Sequence, residues 1–112
     1  VLEKEDTIAI YGSNEFAAKA IINANGGFKE SKLGADKILA VGFDSGALQQ
    51  DAIRKGIFVG SVTQDPVQIG YQAVKLAIAA AKGETVKDVD TGSKWYDAKN
   101  IDSEEIKALL YE

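Results

Sequence analysis

Three short apolar runs, each ending abruptly in polar residues and each followed by a segment of helical periodicity, leave this chain few folds to choose from. The runs are Thr7 to Tyr11, Ile38 to Phe43 and Ile57 to Val62. They are continuous rather than alternating, which is the pattern of parallel strands covered by helices on both faces.

The intervening segments read as helices. Asn14 to Asn25 places Phe16, Ala17, Ala20, Ile21 and Ala24 at spacings of three and four, one face of a helix. Ala47 to Lys55 is shorter and stops at Gly56. The third helix is the best marked: Asp65 caps it, Pro66 takes the first helical position, and it runs to Ala81 before Lys82 and Gly83. Its two apolar stripes, Ile69/Ala73/Leu76/Ala80 and Val67/Tyr71/Val74/Ile78, predict burial over a wide arc. An extended stretch from Val86 to Trp95 follows, then a terminal helix opened by Asp102 with Glu105 at capping-box spacing. The segment from Gly26 to Lys37 reads as a polar surface loop.

The order β-α-β-α-β-α predicts an α/β fold, a parallel sheet with flanking helices joined by right-handed crossovers. Three or four such strands leave an apolar sheet edge that needs cover, either from a missing N-terminal portion or from self-association. The chain starts at Val1 rather than Met, so we expect a processed product or a fragment.

Ligands of open parallel sheets bind beyond the carboxyl ends of the strands. Here those ends read Gly12-Ser13-Asn14, Asp44-Ser45-Gly46 and Thr63-Gln64-Asp65. Asn14, Asp44 and Gln64 are therefore the candidate ligand-binding residues: two amides and a carboxylate suit a neutral polyhydroxylated ligand. Asn14 and Asp44 are equally the residue types that cap helices, whereas Gln64 has no such routine task. Trp95 and Tyr96 read either as packing against a neighbouring domain or as a sugar-stacking pair.

Composition removes other chemistries. The 112 residues include no Cys and no His, which excludes thiol and imidazole catalysis and the usual zinc sites. We expect no enzyme activity, no catalytic residues, no metal site and no cofactor. Thirteen basic against seventeen acidic residues, a net charge of −4, argue against nucleic acid as a partner. No apolar stretch approaches the roughly 20 residues of a membrane span. The glycines around Asp44 form neither a dinucleotide fingerprint nor a P-loop, and a flavodoxin-like or response-regulator module lacks its phosphate loop or acidic cluster.

Taken together, Ile10-Tyr11-Gly12-Ser13-Asn14-Glu15, Val41-Gly42-Phe43-Asp44, the run from Gly60 to Pro66, and Gly70-Tyr71-Gln72-Ala73-Val74 resemble the type 1 periplasmic binding proteins, most of all the ribose- and galactose-type sugar receptors of ABC importers. The tail from Asp90 through Asp102 is similar to that family's ending. The resemblance implies the second half of a C-terminal lobe in residues 1–92, then a crossover segment and terminal helix in 93–112. It implies ligand contacts at Asn14, Asp44 and Gln64, and hinge crossovers at Gln64, Asp65, Gly92 and Ser93. It also implies a small sugar-like ligand, an ABC permease as partner of the parent protein, and a periplasmic or extracellular location, with a lipoprotein anchor as one form of the parent. Glu15 departs from the pattern, since many relatives carry Asp there. The alternative is the ligand-sensing domain of a LacI-type transcription regulator, which shares the fold.

Overall fold

The computed structural model describes residues 1–111. Its elements are β1 (Ala9–Tyr11), α1 (Glu15–Ala24), β2 (Leu39–Phe43), α2 (Ala47–Arg54), β3 (Gly60–Gln64), α3 (Pro66–Ala81), β4 (Ser93–Tyr96) and α4 (Glu104–Lys107). The four strands lie in sequence order in one sheet. β1, β2 and β3 are parallel, and β4 joins β3 antiparallel with Gln64 opposite Ser93 and Ser61 opposite Tyr96. The α/β reading with a parallel core therefore holds, with an antiparallel fourth strand where only an extended stretch was expected.

Two right-handed crossovers in the same direction put α1 and α2 on one side of the sheet. The core forms there: Ala18 and Ile22 of α1 and Ala52 and Ile53 of α2 meet Ala40 of β2, and Phe58, Tyr96, Ile101 and Ile106 close the layer. Strand residues alternate accordingly. Ala40 and Gly42 of β2 are buried while Leu39 is exposed and Val41 and Phe43 are half-buried. The outward row, Tyr11, Leu39, Val41, Phe43, Val62 and Trp95, is as apolar as the inward one. The expectation of cover on both faces thus fails among the described residues: apolar side chains stand on both faces, but helices pack on one.

Several boundaries move for local reasons. The third strand begins at Gly60, not Ile57, because Ile57 and Phe58 end the α2 turn instead: their amides donate to the Ala52 carbonyl and their side chains plug the core. Gly56, at φ +69°, provides the left-handed turn that stops α2 as expected. In α1 the buried face is Ala18, Ile21 and Ile22, so Phe16 lies outside it, 84% exposed. The loop after α1 is less open than predicted. Asn25 is buried and stitches it, donating to Gly27 O and Ser31 Oγ and accepting from the Lys32 amide, and Leu33 enters the core.

The third helix has its predicted bounds, with the Asp65 carboxylate accepting from the Gln68 amide at 2.9 Å. Its predicted burial is overturned, since no residue of α3 is buried. The terminal helix is capped by Ser103 rather than by Asp102 and Glu105. Those two carboxylates instead pair with Arg54 and Lys94.

Gly12 lets α1 settle against the end of β1, because a Cβ there would stand 2.7 Å from the Ala18 amide nitrogen and 2.9 Å from its Cα. Backbone cannot swing aside as a side chain can. Gly12→Ala is therefore expected to cost about 1–3 kcal/mol, the range for overpacking a filled interior, read as a lower denaturation midpoint with an unchanged m-value.

Candidate functional site

The parallel register sets the ends of β1, β2 and β3 side by side, and the three candidate residues follow from it. Asn14 is the N-cap of α1, with Oδ1 accepting from the Ala17 amide at 2.8 Å. Asp44 sits just beyond β2, and its Oδ2 accepts from the Glu15 amide at 2.9 Å. The carboxylate thus caps α1, the helix of the preceding unit, and not α2, whose cap Gly46 supplies no side chain. A carboxylate at that position also meets the positive end of the α1 dipole. Asn14 and Asp44 together bracket one helix N-terminus.

Gln64 ends β3, exposed, on the same sheet face as Val62 and Trp95 by strand alternation. It stands across from Ser93, and Asp65, Gly92, Ser93 and Lys94 border a common hollow together with Thr91 and Leu109. The four residues expected at the crossovers are therefore neighbours in space. Glu15, the departure from the sugar-receptor pattern, pairs with Lys19 and lies over Gly46 beyond the end of β2, where a Cβ would meet its Oε1.

Beneath Asp44 lies a set of buried polar side chains, of which sequence reasoning singled out only Tyr96, and that as a packing or stacking ring. The Asp44 carbonyl accepts from Tyr96 Oη at 2.8 Å, Ser61 Oγ at 3.0 Å and Gln49 Nε2 at 3.2 Å. Gln49 Nε2 also reaches Ser61 Oγ at 2.7 Å and the Phe43 carbonyl at 3.0 Å, while Gln49 Oε1 has no partner among the described residues. Beside this set, Thr63 donates to Ser45 Oγ, and Gln50 ties the Ser45 and Tyr111 carbonyls. One signal was available in the sequence: Ser61 and Thr63 interrupt an otherwise apolar strand at every second residue, the spacing of one buried face.

The adjacent aromatics part company for the same reason. Tyr96 is fully buried, whereas Trp95 faces the other way, 45% exposed, with its ring over Gly60. The Trp95 indole donates to Asp97 at 3.1 Å, and that bond, after the Lys99 amide at 2.8 Å, holds the Asp97 carboxyl below the usual carboxylate value.

The backbone at Asp44 is left-handed, φ +76°. Among the described residues, no group of three or more acidic side chains is placed to hold a metal ion, and no helix is long and apolar enough to cross a membrane.

Residues 1–85 match the family model described as a periplasmic binding protein domain. The chain belongs to that family. No curated protein sequence matches it. Among solved structures, one from Brachyspira murdochii, described as an ABC transporter, LacI family transcriptional regulator, is 48% identical, with a TM-score of 0.86 over 99% of this chain and 37% of that one. A carbohydrate transporter solute-binding protein from Agrobacterium radiobacter, in complex with D-arabinose, is 31% identical, with a TM-score of 0.76 over 93% of this chain and 34% of that one. An ABC transporter solute-binding protein from Agrobacterium vitis with bound D-fucose is 30% identical, with a TM-score of 0.73 over 92% and 34%. The periplasmic-binding-protein chain described here thus spans about a third of the length of these structures.

Two stability measurements follow from this geometry. Asp44→Ala and Asp44→Gly both remove the carboxylate, but only alanine must carry a Cβ at positive φ. Asp44→Gly is expected to be the more stable by about 1 kcal/mol, as read by chemical denaturation. Burial, above all, pushes the Tyr96 hydroxyl up from 10.0 to about 12. Between those values the unfolded chain has lost the proton and the native one keeps it, so stability holds up to about pH 10 and falls between about pH 10 and 12. A guanidine titration series should show that fall, and Tyr96→Phe should flatten it.

Proposed function

We propose that this chain supplies one wall of the sugar cleft in a solute receptor of an ABC importer, a binding protein without catalytic chemistry. The observation that carries the reading is the placement of Asn14, Asp44 and Gln64 at the carboxyl ends of three adjacent parallel strands, where such sheets take their ligands. In this reading Asp44, fixed by the Glu15 amide through one oxygen, offers its other oxygen to sugar hydroxyls. Asn14 offers its amide N–H groups, since its oxygen is engaged in the cap, and Gln64 offers both donor and acceptor. D-arabinose and D-fucose, the sugars of two similar structures, define the ligand class to try first. Residues 1–92 act as the second half of one lobe and 93–112 as a crossover segment and terminal helix. The pairing of Gln64 with Ser93, beside Asp65 and Gly92, gives two passages that bend together when lobes close on a ligand. The permease then reads the closed form, which places the protein outside the cytoplasmic membrane.

A second reading, ligand sensing for a LacI-type transcription regulator, draws on the description of the 48%-identical Brachyspira protein, which names both an ABC transporter and a LacI family regulator. It uses the same cleft and differs in what closure drives. A helix-turn-helix upstream of these residues would select it; a secretion signal or lipobox would select the receptor.

The test of the cleft is calorimetry on the full-length protein that carries this chain, with D-arabinose, D-fucose, D-ribose and D-galactose. Asp44→Gly, which keeps the backbone accessible, is expected to weaken the binding sugar tenfold or more, the loss of a charged hydrogen bond of about 1.5 kcal/mol or above. Unchanged affinity would remove Asp44 from the site.

A further inference from the structure

The Asp44 carbonyl is held by buried side chains. Three side-chain donors converge on it from three elements: Gln49 from α2, Ser61 from β3 and Tyr96 from β4. All three side chains are closed to solvent. A backbone carbonyl has two lone pairs, which Tyr96 and Ser61 fill at 2.8 and 3.0 Å; Gln49 Nε2, whose two hydrogens also serve the nearer Ser61 Oγ and Phe43 carbonyl, adds the longest contact at 3.2 Å. The peptide they hold is also one that prefers to be elsewhere, because a non-glycine residue at φ +76° gains on returning to an ordinary conformation. With its carbonyl drawn inward, the same residue directs its carboxylate to the Glu15 amide.

We propose that Tyr96, with Ser61 and Gln49, positions the Asp44 carboxylate for ligand recognition, fixing through the captured carbonyl which way that side chain faces. The inference rests on the sugar-cleft reading for its consequence, but its first step is a property of Asp44 itself. Tyr96 contributes the part that arrives late in the chain. It lies three residues after Ser93, so the strand that returns from the second passage helps set the geometry at the end of β2. Each donor is a positioning residue, since none is directed at the strand-end surface where Asn14 and Gln64 stand.

The proposal separates from a general stabilising role by what the Glu15 amide reports. That proton is bonded to Asp44 Oδ2, so its NMR shift moves when the Asp44 carboxylate is protonated. In the full-length protein, acid titration should give a large Glu15 amide shift in the wild type and less than half of it in Tyr96→Phe. Ser61→Ala, which removes the second donor with little change of volume, should behave alike and serves if Tyr96→Phe folds poorly. Ile101→Val, a core change of similar stability cost, should leave the shift intact. An undiminished Glu15 shift in both donor variants overturns the proposal.

Affinity for D-arabinose and D-fucose gives the second readout. Tyr96→Phe is expected to weaken binding about 3- to 10-fold, the range of one neutral hydrogen bond. In the Asp44→Gly background it should add less than about twofold, because no carboxylate is left to orient. Equal losses in both backgrounds would overturn the inference. If Asp44→Gly alone leaves sugar binding unchanged while Tyr96→Phe collapses the Glu15 signal, positioning stands and the sugar-cleft reading fails.

Discussion

The peptide at Asp44 is the joint on which the arrangement of the strand ends depends. Its amide donates to the Val62 carbonyl of β3 at 2.8 Å, its carbonyl takes donors from α2, β3 and β4, and its carboxylate caps α1. Four elements are thereby referred to a single residue in a left-handed conformation. The cost of that conformation, roughly 1–2 kcal/mol, is met by hydrogen bonds that would otherwise have to be satisfied by water the core excludes. Removing any one donor weakens the hold on the carbonyl but leaves it the other contacts, so the joint resists piecemeal loosening.

What could be read from the residues alone was the order of elements and the polar strand ends; what could not was which apolar surface finds a partner. The bounds of α3 were legible because Asp65-Pro66 at one end and Lys82-Gly83 at the other are strictly local signals. Its burial was not, because two apolar stripes state what a helix would bury and say nothing of what lies opposite. The third strand was misplaced for a related reason. Ile57 and Phe58 belong to the core, yet they reach it from a turn, and hydrophobicity does not record the backbone that delivers a side chain. At the strand ends, Asn14 and Asp44 were read as either caps or ligand groups. Geometry gives both the capping bonds and leaves one oxygen of Asp44 and the amide of Asn14 without an intrachain partner among the described residues. Capping and recognition are compatible uses of one side chain.

The apolar inventory exceeds what the described residues can bury. A compact chain of this length has a radius of gyration of about 13 Å, whereas this one measures 17.1 Å with a longest dimension of 57 Å. The excess lies in α3, where Val67, Tyr71, Val74 and Ile78 are each more than half exposed, and on the outward sheet face. Isolated apolar side chains on a surface need no explanation, but contiguous rows do. Both rows carry the residue types of interiors, and the chain spans about a third of the length of the structures it resembles.

Period-two alternation then sorts the two strands nearest the crossovers into separate tasks. On β3 and β4, Ser61, Thr63 and Tyr96 face α2 and build the polar layer under Asp44, while Val62, Gln64 and Trp95 face the uncovered side. A shift of one residue in the β3–β4 register would exchange these sets, burying Trp95 where only the Gly60 surface now accommodates its ring and expelling the Tyr96 hydroxyl from its carbonyl. The packing of Trp95 on Gly60 and the bond from Tyr96 to Asp44 therefore enforce the same register from opposite faces. That double constraint explains why two neighbouring aromatic residues, which look like one feature in the sequence, act as two. One is a lock on the outside of the sheet, and the other holds the residue on which the strand ends converge.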